Sequence, residues 1–68
     1  MIKDYTLFSV ALPPPNTTFN AVFCDESGYF NAPLYRDKDG RFFKDDEEIK
    51  DFESWAFETG LIGWVKDD

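Results

Sequence analysis

Alternation at period two dominates the first half of the chain. In Thr17–Cys24, Phe19, Ala21 and Phe23 share one side and Asn20, Val22 and Cys24 the other, the pattern of a strand with Phe19, Ala21 and Phe23 turned to a core. Asp25-Glu26-Ser27-Gly28 carries turn residues and Tyr29–Tyr35 resumes extended character, so a β-hairpin is predicted. Pro33 has no N–H for a ladder, which places its strand at a sheet edge or a bulge there. Upstream, Tyr5–Leu12 reads as a first strand that Pro13-Pro14-Pro15-Asn16 stops, and the triplet itself reads as a loop, since no basic residue flanks it to orient a polyproline ligand. Downstream, Asp37-Lys38-Asp39-Gly40 is a second turn that leads into a short strand, Arg41–Lys44. Phe42 and Phe43 are adjacent, so they project to opposite faces, leaving one exposed or covered by the helix that comes next.

After Lys44 the period lengthens. Ile49, Phe52, Trp55 and Ala56 fall at i, i+3, i+6 and i+7, the spacing of one apolar helix face, and the prediction is a helix over about residues 45–58. Asp45 would cap it, Glu47 and Glu48 would sit at the positive end of its dipole, and Gly60 would end it with Leu61 as the accompanying apolar contact. Leu61–Val65 is then a last strand or an extended tail on the core. The predicted fold class is α+β: a small antiparallel β-meander of four to five strands with one amphipathic helix packed on it, the alternative being an all-β meander.

At 68 residues there is room for one domain, and a domain of this size buries only about 60% of its unfolded surface. Thirteen aromatic residues supply the core material this demands. Cys24 is the only cysteine, which excludes an internal disulfide and a cysteine-based zinc site and fits a reducing compartment. The first residues lack the basic flank, apolar core and cleavage site of a signal peptide, and no segment approaches the roughly 20 apolar residues of a membrane helix. A cytoplasmic protein without membrane contact is expected.

The net charge of −7 is unevenly placed: −1 over residues 1–36 and −6 over residues 37–68. Asp45 to Glu53 holds six carboxylates and one lysine in nine residues. Such an excess repels phosphate backbones, so direct nucleic-acid binding is not expected, whereas a basic partner would be steered in by the long-range field. Net charge of this size also serves solubility by itself.

Catalytic equipment is sparse. With no histidine, the commonest general base and the Ser-His and Cys-His nucleophile pairs are missing, and Cys24 lies in an alternating apolar segment without a neighbouring base or cation. Paired carboxylates doing acid/base work need one buried member in a substrate cleft, and here the acids form one solvated run. Asp37, Asp39, Gly40 and Asp46 occupy positions 3, 5, 6 and 12 of an EF-hand-like loop, but position 1 is Tyr35 and position 12 is Asp instead of Glu, so a hairpin turn is the better reading. Tyr29, Phe30, Phe42 and Phe43 have too few cations around them for a base-stacking platform. No enzyme activity, metal or cofactor is expected.

Several short features, Leu12-Pro13-Pro14, Val22-Phe23, Gly28-Tyr29-Phe30, Gly40-Arg41-Phe42-Phe43, Glu48-Ile49 and Trp55, give residues 10–57 a resemblance to a family of short phage- and prophage-encoded proteins, a domain of unknown function. The chain departs from that pattern in having no tryptophan ahead of the Leu-Pro and in ending on Gly60-Leu61-Ile62-Gly63-Trp64 where the family has a proline-rich end. The resemblance implies a second hairpin turning at Asp45–Glu48, in conflict with the helix, and carries over no catalytic or binding residue. The expected function is that of a non-enzymatic, phage-derived module that binds and modulates or inhibits a host protein, basic or nucleic-acid-binding. Asp45, Asp46, Glu47, Glu48, Asp51, Glu53 and Glu58 would form the contact face, in the manner of a DNA mimic where the target handles nucleic acid. The alternative is a structural or self-associating accessory protein, a homo-oligomer whose exposed aromatics, such as Trp64 or Tyr35, make the contact and whose acids only solubilise.

Overall fold

The computed structural model describes residues 4–66. Six strands, β1 (Thr6–Leu7), β2 (Thr17–Asp25), β3 (Gly28–Arg36), β4 (Phe42–Lys44), β5 (Glu47–Glu48) and β6 (Leu61–Lys66), and one helix, α1 (Phe52–Thr59), succeed one another with α1 between β5 and β6. All strand pairs are antiparallel, in the order β1-β6-β2-β3-β4-β5. Four successive strands thus form a meander, after which α1 carries the chain back across the sheet so that β6 inserts between β1 and β2. Among the described residues no helix is long and apolar enough to cross a membrane.

The predicted hairpin is present in full. Its ladder runs from Asp25↔Gly28 to Thr17↔Arg36 without a break, around a two-residue turn that the Asp25 carboxylate braces by accepting the Ser27 N–H at 2.8 Å. Phe19, Ala21 and Phe23 are buried, as the alternation requires, and with Leu34 and Phe42 they form the core. Phe8, Ile49, Phe52, Trp55, Leu61 and Trp64 pack around them. Aromatic edges and faces dominate: Phe42 and Phe52 stack with centroids 3.9 Å apart, and Phe19 meets Phe42 edge to face at 6.0 Å.

Three expectations are corrected. Among the described residues the strands number six, two of them only two residues long, where four to five were predicted. The first does not run to Leu12: after Leu7 the chain turns, with the Val10 and Ala11 N–H groups both donating to the Leu7 carbonyl at 2.9 and 3.1 Å. The turn lets Phe8 leave the sheet and pack against Phe19, Phe42 and Phe52, burial that a straight strand could not give it. The arm beyond this turn covers the core. Pro13 is fully buried, its carbonyl accepts from Arg36 Nη1 at 2.6 Å, and the Ala11 carbonyl accepts the Trp64 indole N–H at 3.0 Å. Arg36 also lies over the Phe42 ring at 5.4 Å. The proline triplet is therefore a packed lid at its first residue.

The third correction concerns residues 45–58. The helix starts at Phe52, capped by Asp51, whose carboxylate accepts the Ser54 N–H at 3.4 Å, and Asp45 is not its cap. Asp45 and Asp46 take φ of 51° and 67° and form the two-residue turn of a β4–β5 hairpin, with Lys44↔Glu47 and Phe43↔Glu48 paired. Two positive φ values at the turn centre match the right-handed twist of the flanking strands. Pairing of Phe43 with Tyr35 extends the β3 ladder, and the Ile49 N–H closes the hairpin on the Phe42 carbonyl at 2.8 Å. Ile49 therefore reaches the core from a connection outside the helix, while Phe52 and Trp55 do so from α1.

The helix stop is as predicted. Gly60 has φ 80° and donates its N–H to the Ala56 carbonyl, and its own carbonyl accepts the Cys24 N–H at 2.9 Å. A Cβ at this position would collide with the Cys24 carbonyl, so both the left-handed conformation and the close approach of α1's end to β2 require glycine.

Candidate partner-binding surface

The seven acids singled out in the sequence come from four different local settings. Asp45 and Asp46 form the tip of the β4–β5 hairpin, Glu47 and Glu48 make up β5 at the outer edge of the sheet, Asp51 caps α1, and Glu53 and Glu58 lie in its first and last turns. All seven are exposed. No single helix face holds them. Instead the hairpin and α1 diverge from the connection at Ile49 and Lys50 and leave an open groove of about 740 Å³ between them. Asp45, Glu47, Glu48, Asp51 and Glu58 line it, with Trp55 and Ser54 on the helix side and Lys44 and Lys50 as the cations. Asp46 and Glu53 do not: Asp46 faces a second groove beside Pro33, Tyr35 and Phe43, and Glu53 a third beside Phe8, Leu12 and Phe52.

Two of the five lining acids have local work. Asp45 pairs with Lys44 at 3.2 Å, where both side chains are wet and the pair contributes little, and Asp51 holds the helix cap. Glu47, Glu48 and Glu58 form no ion pair among the described residues. Glu58 faces the negative end of the α1 dipole with no basic residue in that turn, which costs the helix a few tenths of a kcal/mol. Helix stability therefore does not account for it.

Other candidate groups fall elsewhere. Asp37 ties its own turn, its carboxylate accepting the Asp39 and Arg41 N–H groups at 3.0 and 2.8 Å, and among the described residues no three Asp, Glu or Cys side chains form a cluster able to hold a metal ion. Cys24 is half-buried on the side of the sheet away from the core, the side its place in the alternation predicts. Trp64 and Tyr35 are also held more firmly than expected: Trp64 packs edge-on against Phe19, and the Tyr35 hydroxyl donates to Asn16 Oδ1 at 2.6 Å. The exposed aromatics are instead Tyr29, Phe30 and Phe57. Phe57 is missed by helical spacing because it lies off the Phe52–Trp55 face. Comparison with protein-family models, with curated proteins and with solved structures finds no match.

Proposed function

We propose that this chain is a small, non-enzymatic protein-interaction module that uses the groove between the β4–β5 hairpin and α1 to bind a basic surface of another protein and so modulate or inhibit it. The observation that carries this reading is the convergence of Asp45, Glu47, Glu48, Asp51 and Glu58 on one groove with Trp55 beside them. Carboxylates gathered from a turn, a strand, a cap and a helix end give a concentrated negative field, and a half-buried indole offers the apolar anchor that interfaces favour. The resemblance to phage-encoded proteins points to a host protein as the target. A nucleic-acid-handling target would present its phosphate-binding cleft to these carboxylates, and duplex DNA would then compete for the same partner.

The test uses Glu47→Gln, Glu48→Gln and Glu58→Gln together, because none of the three has an ion-pair partner to lose among the described residues. A partner captured from host lysate should bind the triple variant at least tenfold more weakly, a change of about 1.4 kcal/mol, with a melting temperature no lower than that of the unaltered chain, and its affinity for the unaltered chain should fall steeply as salt rises. Equal affinity for both chains, or indifference to salt, overturns the reading.

A second reading, self-association, is favoured by the 88% exposure of Phe57 and the 57% exposure of Tyr29. Sedimentation equilibrium separates the two. A dimer that Phe57→Ser dissolves supports self-association, and a monomer at all concentrations excludes it.

A further inference from the structure

The sheet has an uncovered edge in its interior order. β3 is nine residues long, but β4 pairs with it only at Tyr35 and Arg36, so from Gly28 to Leu34 no described strand lies on its outer side. Pro33 reveals which groups point outward. It pairs with Asn20, and since it has no N–H that pair occupies a position without ladder hydrogen bonds. Antiparallel ladders alternate, so Tyr29 and Asn31, four and two residues back, also turn their N–H and C=O groups away from β2. The bare edge therefore offers two N–H donors and, with Pro33, three carbonyl acceptors in one extended row. Exposed edges are ordinarily blunted by charged side chains, and Gly28 to Tyr35 carries none, with Pro33 as its one guard. Tyr29 is 57% exposed and Phe30 46%, so neither flank is covered at the turn end of the edge.

At the Pro33 end of this edge lies the groove of about 420 Å³ that Asp46 faces. Its floor is aromatic, Tyr35 and Phe43 with centroids 6.3 Å apart, and its rim carries Asp37, Asp45 and Asp46. A cationic head over aromatic faces and under carboxylates is favourably placed. We propose that the outer edge of β3 accepts an extended peptide segment bearing lysine or arginine as an added strand, with a cationic side chain seated between Tyr35, Phe43 and the carboxylates of the hairpin tip. Charge decides the occupant. A second copy of this chain would bring a net charge of −7 to an already acidic groove, whereas a basic segment neutralises it. Main-chain pairing supplies affinity along the edge and the groove supplies the selection. The site is a different surface from the hairpin–helix groove, and only Asp45 belongs to both.

The test titrates the labelled full chain with a ten-residue peptide of alternating lysine and valine, and with two controls: the same peptide with glutamate for lysine, and one N-methylated along a single edge. Binding of the lysine peptide should slow amide exchange at Tyr29 and Asn31 at least fivefold and shift the resonances of Tyr35 and Phe43. N-methylation should weaken binding at least fivefold, and the glutamate peptide should not bind. Asp46→Asn should weaken the lysine peptide about threefold. Asn31→Pro, which removes an outward donor and leaves the β2 ladder intact, should abolish the protection at Tyr29, while the Glu47, Glu48, Glu58 triple variant should leave the edge effects unchanged. Shifts confined to residues 47–58, equal binding of the N-methylated peptide, or no binding of the lysine peptide at all would overturn the proposal. So would protection of Tyr29 and Asn31 by the protein alone at high concentration, which would assign the edge to a second copy.

Discussion

The two faces of the central hairpin are made by the same strands in alternation, yet only one is a core. On the covered face Phe19, Ala21, Phe23 and Leu34 are each no more than 3% exposed. On the other, across Thr18, Asn20, Val22, Cys24, Tyr29, Asn31, Pro33 and Tyr35, Val22 alone is buried. The strands do not differ between the faces; the cover does. It comes from the arm that turns Phe8 inward and seats Pro13, from Ile49 in a connection, and from the eight-residue helix that contributes Phe52 and Trp55. Stability is thus concentrated on one side, and the opposite side and the acidic rim are left open to evolve contacts with little cost to folding.

The sharpest way to break that contrast is to remove one aromatic ring from each side. Phe19→Ala should cost about 3–5 kcal/mol, since it empties a fully buried site among Phe8, Phe42 and Trp64. A domain of this size has a total stability near the low end of about 5–15 kcal/mol, so this variant should keep only about 0–2 kcal/mol and unfold at very low urea. Phe43→Ala, on the open face, loses a cross-strand pair with Tyr35 and should cost about 1 kcal/mol or less. Urea unfolding followed by tryptophan fluorescence measures both. Comparable losses would mean that the open face carries a packed core of its own.

A smaller effect tests what holds the cover in place. Gly60→Ala forces a side chain into a left-handed conformation and against the Cys24 carbonyl, at about 1–3 kcal/mol. Because this is where α1 hands over to β6, the loss should appear first as fraying of the helix, visible as faster amide exchange at Trp55 and Thr59 ahead of Phe19 and Phe23. Uniform acceleration across the chain would show that helix and sheet form one cooperative unit.

How much of this was legible in the residues depends on how local each signal is. The β2–β3 hairpin is written in period-two alternation and in a turn whose residues act on one another, and it stands as read. Gly60 ends α1 for the same reason. By contrast, Asp45-Asp46-Glu47-Glu48 suits a helix start and a two-residue turn almost equally. What decides between them is the pairing of Phe43 with Tyr35 and the burial of Phe42 against Phe52, contacts between elements that no local window contains. The insertion of β6 beside β2 and the inward turn of Phe8 are hidden for the same cause. The acids were legible one by one, but the groove they line depends on the divergence of hairpin and helix, and the bare edge of β3 on how short β4 is.

That ambiguity supplies the mildest and most informative substitution. Asp45→Asn with Asp46→Gly places at the turn the pair best suited to two positive φ values, and it removes two neighbouring carboxylates from the rim of the open face. The fold should gain on the order of 0.5 kcal/mol, a rise of a few degrees in melting temperature, because strain and like-charge repulsion are both relieved. If the two acids were there only to turn the chain, nothing but stability should change. If the rim recruits a cationic segment, the stabilised variant should bind the lysine-bearing peptide more weakly while it melts later, and the two readouts moving in opposite directions would separate a residue kept for contact from one kept for the fold. A loss of stability would show that Asp45 and Asp46 contribute more to the turn than their backbone angles imply, and would move the hairpin tip from the open face's rim to its foundation.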